Sequence, residues 1–345
     1  MAAKQETALK PAILTVEPAA AIAGGELRIR GSNFCSDGHA VVTIGEEPAP
    51  LMIAADDFLV AKVPDAAMSG EIVVHSGKRH SAAWETSVGV QIADSLHPVA
   101  NPAVDGEGNV FSTFSGTRGQ RAPVSIYKID SSYTSKPFVS DLMNPTGLAF
   151  DRDGLLYASN RFDGIVYQIT PTGNMSVFVE GMGVATGLAF DKEGNLYLGD
   201  RSGTIFKISR SRQIYVFATL EPSIAAYHLA FSSDGNLYVT GPTTSSFDSV
   251  YRINPAGEVE TVFRGLGRPQ GLAFDADGNL YVAGSLAGRR GIVQLKNGGS
   301  DPSPRLFLSG PNIVGLAFAP GNAMIIATQS ALFRVEAGVR SRILP

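Results

Sequence analysis

One short phrase recurs along the chain at nearly constant spacing. Gly-Leu-Ala-Phe begins at Gly147, Gly187, Gly271 and Gly315, and His-Leu-Ala-Phe begins at His228, so successive copies lie 40, 41, 43 and 44 residues apart. Four copies then continue into a turn and an apolar strand, as in FDADGNLYVA from Phe274. A period of this kind predicts a fold of stacked, similar units, because one unit alone cannot bury its apolar faces.

The residues of a single repeat predict four short strands. In the second repeat, apolar and polar residues alternate over Gly147 to Asp151, Leu155 to Asn160, Ile165 to Thr170 and Met175 to Glu180, and turn-forming residues separate these segments. Four strands in about 40 residues are typical of one blade of a β-propeller. The same count along the chain places six inner strands, near Asn101, Gly147, Gly187, His228, Gly271 and Gly315. We therefore predict a six-bladed β-propeller over residues 97–345, with Val339 to Leu344 as the fourth strand of the last blade.

The first hundred residues have a different pattern. Short alternating segments such as VVTIG at Val41, FLVAKVPDA at Phe58 and EIVVHSG at Glu71 predict a small β-sandwich over residues 11–95, after a flexible tail at residues 1–10. Phe34 and Trp84 are predicted to pack in its core. The predicted fold class is therefore all-β, with an N-terminal immunoglobulin-like β-sandwich followed by a six-bladed β-propeller.

The N-terminal segment contains a spaced pattern of an early Pro, a Gly-Gly pair, an apolar strand, Gly-x-x-Phe and a later Val-Pro, namely Pro18, Gly24, Gly25, Leu27 to Ile29, Gly31, Phe34, Val63 and Pro64. In this pattern it resembles the IPT/TIG family of immunoglobulin-like domains. The resemblance implies a spacer or docking module that carries no chemistry of its own.

Composition narrows the classes of partner. A formal net charge of −4 and a pI near 5.8 give no overall attraction to nucleic acid, so DNA is not expected as a partner. The single Cys35 excludes an intrachain disulfide and is predicted to be a small buried residue. The start of the chain lacks an export signal, and no segment is long enough for membrane insertion. As written, the chain is predicted to be soluble and cytoplasmic; it would be extracytoplasmic if an N-terminal signal had been removed.

The repeated segment resembles NHL-repeat proteins and, more distantly, the gluconolactonase family of six-bladed propellers. The NHL-like run, apolar-Asp-x-x-Gly-Asn-Leu-Tyr-Val, is seen from Phe274 to Val282, and its Asp residues are predicted to form turns. Gluconolactonases hold a divalent cation with a Glu, an Asn and an Asp placed just before inner strands. Here the matching positions are Ala100, Tyr227 and Gln270, so the resemblance implies that this metal site is lost. We accordingly predict no metal and no cofactor.

Charged residues are distributed unequally between the two ends of the predicted propeller. In a propeller, the loops leading into the inner strands share a face with the loops between the second and third strands. These loops carry Arg118, Arg121, Arg161, Arg201, Arg264, Arg268, Arg289 and Arg290 against the acidic residues Asp141, Asp163, Glu180, Asp200, Glu221 and Asp248. The opposite turns are rich in Asp and Glu, with Arg152 and Lys192 as their basic residues. Arg side chains bind carboxylate or phosphate, and aromatic rings stack on sugars or bases.

The predicted function is non-enzymatic binding of a ligand on this Arg-rich face. An anionic glycan or an acidic protein surface is the expected partner, ahead of RNA. The predicted contact residues are Arg118, Arg121, Arg161, Phe162, Arg201, Tyr227, His228, Phe247, Arg268, Gln270 and Arg289. Two alternatives remain open: a gluconolactonase-like hydrolase with a reorganised site around His228, Tyr227 and Gln270, and a purely structural interaction scaffold.

Overall fold

The computed structural model describes residues 9–68, 70–116, 122–301 and 303–342. Within these ranges the secondary structure is β, with one short 3-10 helix at Lys296–Gly299. No helix in the described ranges is long and apolar enough to cross a membrane. The chain divides into two compact units, which are described separately below.

The first unit contains residues up to Val90, together with Leu306–Pro311 and Val335–Ala337. Its strands are β1 (Ala12–Glu17), β2 (Ala20–Ala21), β3 (Glu26–Ser32), β4 (Ala40–Ile44), β5 (Glu47–Ala49), β6 (Leu51–Ala54), β7 (Phe58–Lys62), β8 (Gly70–Ser76), β9 (Arg79–His80) and β10 (Trp84–Val88). One sheet has the order β1-β3-β7-β6, and β2-β10-β8-β4-β5 form part of another.

Alternate residues of both groups of strands meet in one apolar core. Leu27 and Ile29 of β3 and Val42 and Ile44 of β4 belong to the same buried cluster. Phe34 is fully buried in it, as predicted, and Trp84 packs against it while remaining partly exposed. The prediction of a buried Cys35 was wrong. This residue directly follows the anchoring Phe34, but it lies in an irregular segment, where its side chain is exposed.

The second unit contains Gln91–Arg305, Asn312–Arg334 and the residues from Gly338 onward. The strands that follow the first ten are β11 (Val90–Ala93), β12 (Ala103–Val104), β13 (Val110–Thr113), β14 (Ile126–Ile129), β15 (Ser135–Val139), β16 (Pro145–Phe150), β17 (Leu156–Asn160), β18 (Ile165–Ile169), β19 (Met175–Val179), β20 (Ala185–Phe190), β21 (Leu196–Asp200), β22 (Thr204–Ile208), β23 (Ile214–Thr219), β24 (His228–Phe231), β25 (Leu237–Thr240), β26 (Asp248–Ile253), β27 (Val259–Gly267), β28 (Leu272–Phe274), β29 (Leu280–Leu286), β30 (Arg289–Leu295), β31 (Arg305–Ser309), β32 (Ile313–Ala319), β33 (Ala323–Thr328) and β34 (Leu332–Val335). Residues of β31 from Leu306 onward fall in the first unit, as do Val90 and Val335.

The strands of the second unit form blades around a closed ring. Strands β12–β15, β16–β19, β20–β23 and β24–β27 are successive antiparallel groups, followed by a group that begins at β28 and another that begins at β32. We number these groups as blades 1 to 6 in chain order. The inner strands β12, β16, β20, β24, β28 and β32 each contact the next, and β32 contacts β12. The architecture is therefore all-β and propeller-like, with the repeated Leu-Ala-Phe segments on its inner strands.

The last group of strands corrects one prediction. Its sheet has the order β11-β34-β33-β32, so the outer strand comes from the segment that precedes the first blade. Val339–Arg342 do not form a strand, and Ile343 and Leu344 lie outside the described residues. Because β11 is buried against this sheet through Ile92, it occupies the edge that the C-terminal segment was predicted to fill. The two ends of the ring are thus hydrogen-bonded within one sheet.

Aromatic pairs hold neighbouring blades together. The Tyr of the Leu-Tyr pair in the second strand packs edge-on against the Phe of the next Leu-Ala-Phe segment, with ring centroids 4.8 Å apart in Tyr157–Phe190 and 4.9 Å apart in Tyr197–Phe231. Edge-to-face pairs of this kind add about 0.5–1.5 kcal/mol beyond the area they bury. The repeated sequence therefore encodes the contact between blades.

The repeated Gly is required by the close approach of neighbouring inner strands. A Cβ atom built at Gly187 would lie 2.3 Å from the carbonyl oxygen of Tyr227, and one at Gly147 would lie 2.6 Å from that of Thr186. Such distances leave no room for a side chain where the inner strands approach each other. The first residue of the Gly-Leu-Ala-Phe segment consequently lies at the narrowest part of the ring, which we call the waist.

Candidate binding sites on the second unit

Antiparallel pairing gives the second unit two distinct ends. We call the end with the loops before the inner strands, and with those between the second and third strands of each blade, the loop face. The end with the Asp-x-x-Gly turns between the first and second strands is the turn face. Each inner strand runs from the loop face to the turn face, so the two ends display different parts of the repeat.

The first Asp of the Asp-x-x-Gly turns at Asp151, Asp191 and Asp275 is used by the turn itself. Asp275 is 2% exposed, and its Oδ1 accepts the backbone N–H groups of Asp277 at 2.9 Å and Asn279 at 2.8 Å. Asp151 accepts the equivalent N–H groups two and four residues ahead, both at 2.9 Å. Asp191 repeats the arrangement. These residues are turn formers, as the sequence indicated, because Asp readily bonds its own neighbouring backbone.

The predicted hydrolase residues do not form an open site. Tyr227 is 1% exposed and donates its hydroxyl hydrogen to the carbonyl of Glu221, while burial raises its pKa. Its inclusion among the ligand contacts was therefore wrong, because the ring is enclosed by the core. Gln270 is half-buried and donates its backbone N–H to the carbonyl of Ala283 at 2.8 Å. In the described part of the chain, no group of three or more His, Cys, Asp and Glu side chains could hold a metal ion.

His228 occupies the waist of the ring. Four of the six equivalent positions are Gly and the sixth is Asn101, whose amide donates to the carbonyl of Leu272 at 2.9 Å. The His228 side chain is 2% exposed, and burial lowers its pKa to about 3. The imidazole is consequently neutral at physiological pH. Its burial places it at a structural position and removes it from the predicted ligand contacts on the loop face.

The predicted contact residues Arg161 of blade 2 and Arg201 of blade 3 differ in exposure and in hydrogen bonding. Arg161 is half-buried and donates to Ser115 Oγ at 3.1 Å and to Asn144 Oδ1 at 3.2 Å, so it fastens neighbouring loops. Arg201 is exposed and donates one hydrogen bond to the carbonyl of Ile224 at 2.9 Å. Arg118 and Arg121 lie outside the described residues.

A second group of Arg residues lies where blades 4 and 5 meet. Arg264 pairs with Ser249, two residues after Phe247. Gly267, which precedes Arg268, pairs with Ser285, and Ser285 pairs on its other side with Arg290. Because adjacent strands lie about 4.8 Å apart, these pairings bring Arg264 and Arg290, with Phe247 just before β26 and Arg268 just after β27, to the same end of neighbouring strands. We call these four residues the blade 4–5 cluster.

A tight hairpin presents part of this cluster. Ala287 and Gly288 join β29 to β30 with φ values of 49° and 79°, as a two-residue hairpin of this hand requires. The β29–β30 ladder runs continuously to the Leu286–Arg289 pair, next to the hairpin. Arg289 is half-buried, and Arg290 is exposed. The predicted contact set included Arg268 and Arg289 but omitted Arg264 and Arg290, because cross-strand register cannot be read from the spacing of repeats.

The cationic side chains of this cluster are not neutralised locally. Arg264, Arg268 and Arg290 are exposed, and no described acidic side chain forms an ion pair with them. The nearby Asp248 is 3% exposed, and its Oδ1 accepts from the N–H of Thr243 at 3.0 Å and from its hydroxyl at 2.7 Å.

Two aromatic rings of the loop face are open to solvent. Phe247 is 64% exposed and Phe162 is 61% exposed. Phe162 directly follows Arg161 on one loop, and the loop of Phe247 lies beside the strands that bring Arg264, Arg268 and Arg290 to the same end. The loop face therefore combines exposed guanidinium groups with flat apolar surfaces.

Comparisons with solved structures agree with the fold. An auxiliary nutrient binding protein from Bacteroides thetaiotaomicron is 12% identical with a TM-score of 0.56, and the match covers 95% of this chain and 98% of that one. A putative gluconolactonase is 18% identical with a TM-score of 0.59, covering 74% of this chain and 93% of that one. A gluconolactonase from Xanthomonas campestris is 14% identical with a TM-score of 0.58, covering 72% and 89%.

These likenesses show a gluconolactonase-like propeller fold and, at such low identity, the fold alone. No protein-family model matches the chain, and no curated protein matches it.

Proposed function

We propose that this chain is a non-enzymatic binding protein whose loop face recognises an anionic glycan through the blade 4–5 cluster. The observation that carries the proposal is the exposure of Arg264, Arg268 and Arg290 without described acidic partners, beside the open ring of Phe247. A guanidinium fork binds carboxylate or sulfate groups in a bidentate manner. The ring supplies a flat apolar surface on which a sugar can stack.

Charge favours a glycan over RNA. Nucleic-acid-binding domains are commonly strongly basic, whereas this chain has a formal net charge of −4 and a pI near 5.8. A local cationic cluster on an acidic protein suits a ligand with a few, widely spaced acidic groups. The fold is shared both with a nutrient binding protein and with gluconolactonases, so it does not decide between binding and hydrolysis.

The hydrolase alternative has weaker support. It requires His228, Tyr227 and Gln270 to meet a substrate, and the first two are 2% and 1% exposed. The likeness to gluconolactonases concerns the fold, and a fold does not carry its activity with it.

For the domain organisation, we propose an IPT/TIG-like, immunoglobulin-like module at residues 11–95 and a six-bladed propeller at 97–345. The shared core of two groups of strands supports the first, and the closed ring of six inner strands supports the second. In this arrangement the N-terminal module serves as a spacer or docking element. An experimental structure whose first unit has strand connections unlike those of an immunoglobulin-like sandwich would refute the module assignment.

The binding proposal is tested with matched charge reversals. Arg264→Glu with Arg268→Glu changes the blade 4–5 cluster, whereas Arg152→Glu with Lys192→Glu changes two exposed cations of the turn face by the same charge. Calorimetric titration with a sulfated oligosaccharide and a uronate oligosaccharide, with dextran as the neutral control, measures affinity. We expect the first double variant to bind at least tenfold more weakly and the second to bind like the wild type. Raising salt should also weaken wild-type binding, because screening shortens the range of exposed charges.

Several outcomes would reject the proposal. Equal affinities in both double variants would remove the cluster from recognition. Binding of dextran as tight as that of the charged sugars would remove the role of charge. Binding of an acidic peptide or an RNA in preference to both glycans would assign the face to a different class of partner.

A further inference from the structure

The ring encloses a cavity of about 150 Å³ that lies toward the turn face. Its walls are the Leu-Ala-Phe segments of the inner strands of blades 2 to 6, with residues 101–104 of blade 1. These segments provide apolar side chains around the whole circumference. The sequence repeat therefore builds a ligand-sized apolar chamber as well as the contacts between blades.

The cavity narrows toward the loop face. At the waist, Gly147, Gly187, Asn101 and His228 border a space of only about 30 Å³. The close approach of the inner strands at the glycines and the His228 imidazole together account for this narrowing. A molecule would consequently enter the larger chamber from the turn face.

The C-terminal segment crosses the turn face and is fastened along its path. The backbone N–H of Ala276 donates to the carbonyl of Arg340 at 3.0 Å, and the Arg340 guanidinium pairs with Asp277. The backbone N–H of Ser341 donates to Asn322 Oδ1 at 3.1 Å. These contacts place the next residue, Arg342, among the residues that line the cavity.

Arg342 is the charged residue among the described residues that line the chamber. Its Nη1 donates to the carbonyl of Phe231 at 3.0 Å. This is the one hydrogen bond that the guanidinium makes with a described residue. A guanidinium has five N–H donors, so several of those of Arg342 have no acceptor among the described residues. Burial lowers the pKa of Arg342 and the charge of Asp234 opposes this shift, so the guanidinium remains charged at physiological pH. Among the described residues, Asp234 forms no ion pair with Arg342. A partly buried charge is costly unless an anion pairs with it.

We propose that this axial cavity binds a small organic monocarboxylate, with its carboxylate on Arg342 and its apolar body among the Leu-Ala-Phe segments. The size of the ligand follows from the volume. In a well-known engineered lysozyme, an apolar cavity of about 150 Å³ holds benzene, which sets the scale at about six to eight carbon atoms. The site is at the opposite end of the ring from the blade 4–5 cluster and does not depend on the glycan proposal.

Benzoate is the probe for the full chain, followed by calorimetry or by ligand-observed NMR. We expect saturable binding to the wild type and at least tenfold weaker binding of benzamide, which has the same body without the charge. Arg342→Gln should weaken benzoate binding at least tenfold. Arg152→Gln, which removes an exposed cation from the same face outside the cavity, should leave it unchanged.

A second variant tests the cavity independently of the charge. Ala273→Leu adds volume to the cavity wall while leaving Arg342 in place, and it should also abolish benzoate binding. The variants Arg264→Glu and Arg268→Glu should bind benzoate normally, which separates this proposal from the glycan site. No benzoate binding to the wild type, equal binding to Arg342→Gln, or tighter binding of benzamide after the loss of Arg342 would overturn the proposal. The last result would identify the Arg342 side chain as a plug.

Discussion

At the scale of single residues, the Asp side chains of the turn face act as structural acceptors. Asp275 accepts four hydrogen bonds, two from backbone N–H groups and two from the side chains of Asn279 and Tyr281. Asp275→Ala would leave these buried or half-buried donors without an acceptor, so we expect a loss of at least about 2 kcal/mol in the free energy of unfolding. Chemical denaturation measures this loss. The control Asp153→Ala removes an exposed carboxylate from the equivalent turn of blade 2 and should cost less than about 0.5 kcal/mol.

His228 predicts a pH dependence. Its pKa is about 3 in the folded protein and about 6.5 when unfolded, so below pH 6.5 the unfolded state binds a proton that the folded state does not. Stability should therefore fall as the pH falls from 6.5 toward 3, by at most about 1.4 kcal/mol per pH unit from this residue.

The variant His228→Asn isolates this contribution. Asp130, Asp234 and Asp277 also have lowered pKa values and lose stabilisation in acid, so the informative quantity is the difference between the two proteins. Urea denaturation between pH 6.5 and 4.5 should show a shallower decline for the variant. Parallel curves for the two proteins would contradict the buried, neutral imidazole.

At the scale of elements, closure of the ring depends on β11. Ile92 is 5% exposed and packs with Leu332 and Ile325 in the last blade. Ile92→Ala removes buried methyl groups and leaves a cavity, so we expect a loss of about 2–4 kcal/mol in the free energy of unfolding. Val90→Ala in the same strand is the control, because Val90 is 41% exposed. Equal losses for the two variants, measured by chemical denaturation, would refute a structural role for β11.

The sequence predicts the repeated strands well, but it predicts long-range strand pairing and the burial of individual side chains poorly. In the second repeat the four predicted strands correspond to β16–β19, because alternation and turn residues are local signals. Strand β11 is not predictable in the same way, since its partner β34 lies more than two hundred residues along the chain. Burial of Tyr227 and exposure of Cys35 likewise depend on tertiary contacts that no local pattern reports.

At the scale of the whole second unit, the repeat creates two ends with different chemistry. Turn-face carboxylates such as Asp275 are used to build turns, whereas exposed guanidinium groups on the loop face have no described acidic partner. The sequence indicated the polarity of charge, but the register of β27, β29 and β30 was needed to locate the blade 4–5 cluster.

Hydrogen–deuterium exchange of the intact protein, with and without a sulfated oligosaccharide, tests the central claim most directly. Binding to the loop face should slow exchange in residues 243–248 and 286–290, which contain Phe247 and Arg290 of the blade 4–5 cluster, because an ordered ligand suppresses local opening of these loops. Exchange in the turns at 151–154 and 191–194 should remain unchanged. Slowed exchange confined to the Asp-x-x-Gly turns, or no change at 243–248 and 286–290 under saturating oligosaccharide, would contradict the account.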